Sequence, residues 1–187
     1  MADQALRKAP LAGRHGGSAS ARVTPAGPAT RLALRAGADA IGTLSLAFGL
    51  ELPQRPKTSA SVAGRHALWL GPDEWLLIAE GEDGARLAPA LGEALGRRPH
   101  SLVDVSQRQI GLDLSGPLAR RALSAGCPLD LRDRAFPDGS ATRTMLAKSE
   151  IVLWRRAPAR YRVEVWRSFA DYVASFLEEA AKRAPPI

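Results

Sequence analysis

Only a few residues of this sequence have a type and position that could do chemistry. Asp104 lies within the run 103–106, Val-Asp-Val-Ser. An acid in an apolar strand can act as a general base with a raised pKa or bind a ligand, but acids that pair with arginine for structural reasons occur there too. Cys127 follows Gly126 and precedes Pro128, and the sequence places no histidine or arginine beside it to lower its pKa. We therefore expect Cys127 to be an inert buried thiol, and Asp104 receives no assigned role.

The sequence patterns of metal and nucleotide sites are absent. The three histidines, His15, His66 and His100, occur at none of the spacings that zinc ligands use. No two glycines are separated by a single residue, so the chain lacks G-x-G, and it also lacks G-x-x-x-x-G-K and G-x-S-x-G. The sequence therefore predicts no catalytic, cofactor-binding or metal-binding residue in this chain.

The basic residues are unevenly distributed. The formal net charge is +7, but residues 1–67 hold nine Lys or Arg against three acids, and the remainder is nearly neutral. Near-neutral charge and few aromatic residues argue against a nucleic-acid partner; an electrostatic RNA binder would need an affinity that falls steeply with salt. The last predicted hairpin carries a cluster of five arginines: Arg155, Arg156, Arg160, Arg162 and Arg167. Two explanations are open, a basic patch for an acidic partner or solvated charge at an exposed turn.

Residues 1–30 are predicted to form a flexible N-terminal extension. Seventeen of the twenty-two residues in 9–30 are Ala, Gly, Pro, Ser or Thr, which bury too little apolar surface to offset the entropy of ordering. The alternative is an extension that docks on an acidic partner.

The chain carries no sequence signal for a membrane or for export. Its longest uncharged stretch, 40–50, has eleven residues, whereas a membrane-spanning helix needs about 20, and the start has no apolar signal segment. A single cysteine forbids an internal disulfide. We expect a cytoplasmic protein without membrane partners.

Residues 31–105 show the element order of a ferredoxin-like half, βαββαβ. Strands are predicted at 31–36, 67–70, 75–79 and 102–105, with a helix following Asp39 and a second helix that Pro89 would start near Ala88. The turn 71–74, Gly-Pro-Asp-Glu, joins two apolar runs and gives the strongest hairpin signal in the chain.

A similar order begins again in residues 106–187. Strands are predicted at 110–114, 142–148, 151–154 and 161–166, with a helix opened by Gly116 and Pro117 and a last helix capped by Ser168 and Asp171. All four tryptophans lie in or beside strands and are expected in the core: Trp69, Trp75, Trp154 and Trp166. The predicted class is α+β, one domain over 31–187 built from two ferredoxin-like halves, 31–105 and 106–187, whose antiparallel sheets carry helices on one face.

Several long motifs, in order, resemble the sarcosine oxidase gamma subunit family over about 31–181. The motifs are 68–77 (LWLGPDEWLL), 103–109 (VDVSQRQ), 126–131 (GCPLDL), 141–154 (ATRTMLAKSEIVLW) and 162–169 (RVEVWRSF). The resemblance implies a fold similar to the folate-binding domain of the glycine-cleavage aminomethyltransferase.

The resemblance also implies a function. The heterotetrameric oxidase demethylates sarcosine oxidatively to glycine, forms hydrogen peroxide and passes the methyl carbon to tetrahydrofolate. FAD, FMN, NAD and tetrahydrofolate are expected in the large subunits and zinc in a small subunit, whereas the gamma chain is expected to hold no cofactor and to be non-catalytic. Its implied partners are the alpha, beta and delta subunits, chiefly alpha.

A different class of function stays open at this point. The implied fold also suits a free-standing folate-binding aminomethyltransferase-like protein, for which binding of tetrahydrofolate to the isolated chain would be evidence. The aminomethyltransferases are about twice as long, which disfavours this alternative. A structural subunit should instead expose an apolar surface larger than a monomer normally tolerates.

Overall fold

The computed structural model describes residues 11–184. In chain order the strands and helices are β1 (Gly16–Ser18), β2 (Ala21–Pro25), β3 (Ala29–Ala36), α1 (Ile41–Phe48), β4 (Ser59–Val62), β5 (Arg65–Gly71), β6 (Glu74–Glu80), α2 (Gly84–Leu95), β7 (His100–Asp104), β8 (Gln109–Ser115), α3 (Ala119–Ser124), β9 (Ala141–Leu146), β10 (Ser149–Ala157), β11 (Arg160–Trp166) and α4 (Ala170–Arg183).

These strands form two antiparallel sheets. Sheet 1 has the order β4-β5-β6-β3-β7 and sheet 2 has the order β1-β2-β8-β11-β10-β9. Helices α1 and α2 cover the outer face of sheet 1, and α3 and α4 cover the outer face of sheet 2. The inner faces of the two sheets pack on each other. The molecule therefore has the predicted α+β class with helices on one face of each sheet, and the packing of the two sheets on each other gives it four layers.

Three apolar clusters fill these layers. The cluster of sheet 2 includes Phe136, Leu153 and Leu177, and the cluster of sheet 1 includes Phe48, Trp75 and Leu91. A smaller cluster lies between the sheets and is built from alternate residues of β5, β6 and β10: Leu68, Leu76, Ile78, Val152 and Trp154 among them. Strands β6 and β10 are thus apolar on both sides, which is why their sequences read as continuous apolar runs.

The N-terminal prediction is wrong for the residues that the structure describes. Strand β2 pairs with β8, so that residues before 31 extend the sheet of the C-terminal half, and Ala21 and Val23 are 0% and 2% exposed. The small residues that suggested disorder permit close packing. A Cβ on Gly16 would overlap the Glu178 side chain, and Gly17 has a φ of +91° in the β1–β2 hairpin. Residues 1–10 lie outside the described residues.

Three local predictions are also corrected. Helix α2 starts at Gly84, because the Asp83 carboxylate accepts a hydrogen bond from Ala85 N at 3.0 Å, and Pro89 lies within the helix. Helix α4 starts after Phe169 without a side-chain cap, so the predicted capping by Ser168 does not form. Trp166 is 43% exposed instead of buried. None of the helices within 11–184 is long and apolar enough to span a bilayer.

Candidate functional site

The residues singled out in the sequence do not converge. Asp104 is exposed at the end of β7, where its Oδ1 accepts a hydrogen bond from Ser106 N at 2.8 Å. Cys127 is buried in the core of sheet 2. His15 and His100 are exposed, whereas His66 is buried on β5. Among residues 11–184, no three His, Cys, Asp or Glu side chains group so that they could hold a metal ion.

The predicted arginine cluster divides between the interior and the surface. Arg155 and Arg162 are 6% and 1% exposed, whereas Arg156, Arg160 and Arg167 are exposed. Arg155 Nη1 donates to Asp133 Oδ1 at 2.7 Å and to the carbonyl of Phe136 at 2.8 Å, which ties β10 to the segment before β9. Both explanations offered for the cluster, a basic patch and solvated charge, are therefore wrong for Arg155 and Arg162, because these two side chains are buried and structural.

A buried charge network joins the two sheets. Arg31 of β3 donates through Nε to Glu164 Oε2 at 2.6 Å and through Nη2 to Oε1 at 3.3 Å. Arg162 of β11 donates through Nε to the same Glu164 at 2.7 Å and through Nη1 to Glu80 at 3.0 Å. The Glu164 side chain is 0% exposed, and those of Arg31 and Arg162 are 5% and 2% exposed. This network bridges sheet 1 and sheet 2 through carboxylates that neutralise both buried guanidinium groups.

Glu164 and Arg31 were not predicted to form a site, although the sequence of β11 carried a signal. Its residues alternate between apolar positions, Tyr161, Val163 and Val165, and the opposite charges Arg162 and Glu164. That alternation normally marks a solvent-facing side of a strand. Here the second sheet covers this side, so the charges are buried and paired.

Two titratable groups beside the network have shifted pKa values. Burial lowers the pKa of the His66 imidazole; Glu80 opposes this effect, and Arg156 and Arg162 add to it. His66 Nδ1 lies 2.9 Å from Ser61 Oγ, and Nε2 lies 3.5 Å from Glu80 Oε1 without a hydrogen bond. Burial also raises the pKa of the Asp113 carboxyl, which Arg162 partly offsets. The neutral imidazole is thus the favoured state of His66 in the fold.

Gly111 provides the space that this network needs. It pairs with Glu164 across β8 and β11. A Cβ at this position would lie 2.8 Å from Arg162 Nε, 2.8 Å from Glu164 Oε1 and 2.9 Å from the Ala26 Cβ. Separations below 3.0 Å are closer than packed atoms tolerate, so a side chain here would displace the ion pair.

The cavities of the molecule differ in size and position. A cavity of about 130 Å³ lies between the sheets and is lined in part by Ala33, Gln109 and Trp166. This is smaller than the roughly 300–1,000 Å³ of ordinary ligand pockets. An open groove of about 910 Å³ runs between the segments 50–62 and 135–140, and another of about 660 Å³ lies between α3 and α4.

Exposed apolar side chains gather at one end of the molecule. Within residues 11–184, seven large hydrophobic residues are exposed, and five of them, hereafter the apolar end, are Val103, Met145, Trp166, Phe169 and Tyr172, with exposed fractions between 41% and 51%. The other two, Leu46 and Val62, lie on α1 and β4.

The strand register explains this gathering. Trp166 at the end of β11 pairs with Gln109, and Met145 pairs with Glu150 beside the β9–β10 turn. Tyr172 Oη accepts a hydrogen bond from Lys148 N in that turn, and Arg108 stacks over Trp166 with its guanidinium carbon 5.0 Å from the ring centre. Val103 is related to them only through its strand partner Ala33, which lines the same cavity as Trp166. The arrangement is suited to binding a protein surface.

The chain is similar to members of one known protein family over most of its length. The model of the sarcosine oxidase gamma subunit family matches residues 34–183. Sarcosine oxidase gamma subunits from Corynebacterium sp. (strain P-1) and Arthrobacter sp are 39% and 38% identical over 155 residues, which is 81% of this chain and 75% of each relative.

Two solved structures are also similar. A chain of the heterotetrameric sarcosine oxidase from Corynebacterium sp. U-96, in complex with pyrrole 2-carboxylate, superposes with a TM-score of 0.86 at 34% identity, over 94% of this chain and 95% of that chain. Glycine cleavage system aminomethyltransferase T from Bartonella henselae gives a TM-score of 0.64 at 13% identity, over 86% of this chain and 46% of that one, and shares the fold alone. The predicted aminomethyltransferase-like fold is thereby confirmed, and with a family match over most of its length this chain belongs to the sarcosine oxidase gamma subunit family.

Proposed function

We propose that this chain is the gamma subunit of a heterotetrameric sarcosine oxidase and serves assembly rather than chemistry. The observation that carries the proposal is the apolar end, five large exposed side chains that strand pairing, the Tyr172–Lys148 hydrogen bond and the cavity between the sheets relate to one another. Exposed aromatic residues gathered in this way mark protein interfaces, in which Trp and Tyr are enriched. The family identifies the complex in which such an interface would be used.

The division of labour follows from this proposal. FAD, FMN, NAD and tetrahydrofolate would bind in the partner subunits, and zinc in the small one. The partners would be the alpha, beta and delta subunits, with alpha making the main contact. No residue of this chain is assigned to the oxidative demethylation of sarcosine, to peroxide formation or to one-carbon transfer. We place the assembly in the cytoplasm, in keeping with a chain whose one cysteine has no partner for an internal disulfide.

The fold supports this role in two ways. The buried network of Arg31, Glu164, Arg162 and Glu80 links the two sheets, and the apolar end lies on strands and near the start of α4 instead of on long loops. A preformed surface loses little conformational entropy on association. This chain would therefore offer its partner subunit a preformed surface on which to assemble.

The test is co-expression with the large and small oxidase subunits, with and without this chain. We expect co-elution on size-exclusion chromatography, and loss of assembly or of sarcosine-dependent peroxide formation when the chain is omitted. Trp166→Ala should reduce the co-eluting fraction by roughly tenfold or more, since a Trp near the centre of an interface is a typical hot spot. Leu46→Ala is the matched control, because Leu46 is 85% exposed on α1, away from the apolar end.

Elution of the wild-type chain alone, with full activity of the remaining subunits, would refute the proposal. Equal loss for the Trp166 and Leu46 variants would refute the role of the apolar end. A parallel titration of the isolated chain with tetrahydrofolate addresses the folate-binding alternative directly.

A further inference from the structure

Strand β7 has an outer edge that no strand within residues 11–184 covers. It is the last strand of sheet 1 and pairs only with β3. Val105 N donates to Arg31 O at 2.8 Å, and Arg31 N donates to Ser106 Oγ at 2.8 Å, which fixes the side to which each residue points. Because peptide groups alternate in direction along a strand, Ser101 and Val103 bond to β3, and the N–H and C=O groups of His100, Leu102 and Asp104 point outward.

The other sheet edges carry features that discourage pairing. Strand β1 has three residues, and Arg14, just before it, is ion-paired with Glu178 of α4 at 2.7 Å. Strand β9 carries Arg143, bonded to Glu74 of the opposite sheet at 2.6 Å. Strand β4 is tied to the segment 135–140 through Ser59 Oγ, which donates to Gly139 O at 2.7 Å. Proteins protect sheet edges by short strands, charges and covering segments. The five residues of β7 are exposed or half-buried, and their one acid, Asp104, lies at the end of the strand.

The surroundings of β7 are apolar on one face and basic at both ends. Val103 is 51% exposed. Its strand partner, Ala33, lines the cavity that Trp166 also lines. Four exposed arginines flank the strand, and within residues 11–184 none of them forms an ion pair: Arg97, Arg98, Arg108 and Arg167. Arg167 N donates to Arg108 O at 2.6 Å, so these two side chains project from adjacent main chain.

The one acid of the strand, Asp104, offsets only part of this charge. Its carboxylate, whose Oδ1 accepts a hydrogen bond from Ser106 N, stands against four arginines and forms no ion pair within residues 11–184. An incoming segment with acidic residues would therefore find cations at both ends of β7, in addition to main-chain donors and acceptors between them.

We propose that β7 accepts an extended, acidic segment of the large partner subunit as a sixth strand of sheet 1. The inference rests on the proposed function and specifies which strand of this chain contacts the partner subunit. Main-chain hydrogen bonds form with His100, Leu102 and Asp104, an apolar side chain of the segment covers Val103, and its carboxylates pair with Arg97 and Arg108. Strand addition of this kind derives affinity from main-chain bonds and specificity from alternate side chains.

The first test is amide hydrogen exchange in the intact co-expressed complex, resolved to single residues by mass-spectrometric fragmentation. We expect slow exchange at His100, Leu102 and Asp104. The amides of Ser101 and Val103 are the internal control, since they bond to β3 whether or not a partner strand is present. Fast exchange at the three outward amides, with slow exchange at the control amides, would overturn the proposal.

The second test reverses one flanking charge. Arg108→Glu should lower the fraction of large subunit that co-purifies at physiological salt by about tenfold, and added salt should narrow the difference from wild type. Arg160→Glu is the matched control: Arg160 is exposed, forms no ion pair in the described part of the chain and lies at the opposite end of β11. An Arg108 variant that co-purifies like the Arg160 variant would contradict the proposal.

The outcomes separate the two proposals. If wild-type chain fails to co-purify with any oxidase subunit, the proposed function and the strand addition both fail. If the wild-type complex forms, yet the outward amides exchange fast and Arg108→Glu has no effect, the strand addition alone fails.

Discussion

Replacement of Glu164 by glutamine tests whether the charge network holds the two sheets together. The carboxylate accepts three hydrogen bonds from two buried guanidinium groups, at 2.6, 3.3 and 2.7 Å. Glutamine keeps nearly the same volume but removes the negative charge and turns one acceptor into a donor that faces a cation. Arg31 then has no carboxylate partner left in the described residues, because its remaining bond is from Nη1 to the Ala29 carbonyl.

The expected loss is about 3–5 kcal/mol of unfolding free energy, the range for breaking a buried ion pair by removal of one partner. The three bonds considered separately would suggest more, at roughly 1.5–3 kcal/mol each, but the amide oxygen retains part of them. A loss of this size is a large fraction of the roughly 5–15 kcal/mol that stabilises a typical domain.

The assay is urea denaturation at pH 7, since urea, unlike guanidinium, does not screen charges. Glu150→Gln is the matched control, because Glu150 is on neighbouring β10, 56% exposed and 3.6 Å from Arg143, so its loss should cost below about 0.5 kcal/mol. If Glu164→Gln costs less than about 1 kcal/mol, the view that this network is the main polar link between the sheets is refuted.

Two further predictions concern the same layer. Gly111→Ala should destabilise the chain by about 1–3 kcal/mol, since the added Cβ overlaps the Arg162–Glu164 pair. The control Gly92→Ala, in the interior of α2 with open space around it, should stabilise the chain by about 0.5–1 kcal/mol. Equal shifts of the melting temperatures of the two variants would contradict this prediction. The lowered pKa of His66 means that protonation favours the unfolded state, so stability present above about pH 6.5 should fall as the pH drops toward the folded-state pKa. Thermal unfolding between pH 7 and 5 should show this decline in the wild type and a shallower one in His66→Gln; a steeper decline in the variant would show that His66 is not the group responsible.

The order of the elements could be read from local patterns. The turn at 71–74 and its flanking apolar runs appear as β5 and β6, and the helical stripe after Ala170 appears as α4. Such features depend on neighbours within a few residues, so composition and periodicity suffice to predict them. The family could be recognised for a similar reason, because long motifs keep their order whatever the packing.

The errors arose where distant residues decide local structure. Residues 16–25 are poor in large apolar side chains, yet β2 finds its partner in β8, more than eighty positions away in sequence. Likewise, Pro89 suggested a late helix start, whereas the side chain of Asp83 caps α2 earlier. Pro is best tolerated in the first turn of a helix, whereas Pro89 is the sixth residue of α2, so the position of the proline could not locate the start.

The sequence by itself determined the class, the family and the absence of recognisable nucleotide and metal motifs, since these depend on residue type and spacing. Only the tertiary structure decided which charges are buried and which apolar residues are exposed. Arg162 and Trp166 lie on the same face of β11, four residues apart, but sheet 1 packs closely on the first, which is 1% exposed, and leaves a cavity beside the second, which is 43% exposed. A strand's pattern states which residues share a face, whereas the extent of the opposing sheet determines whether that face meets protein or solvent.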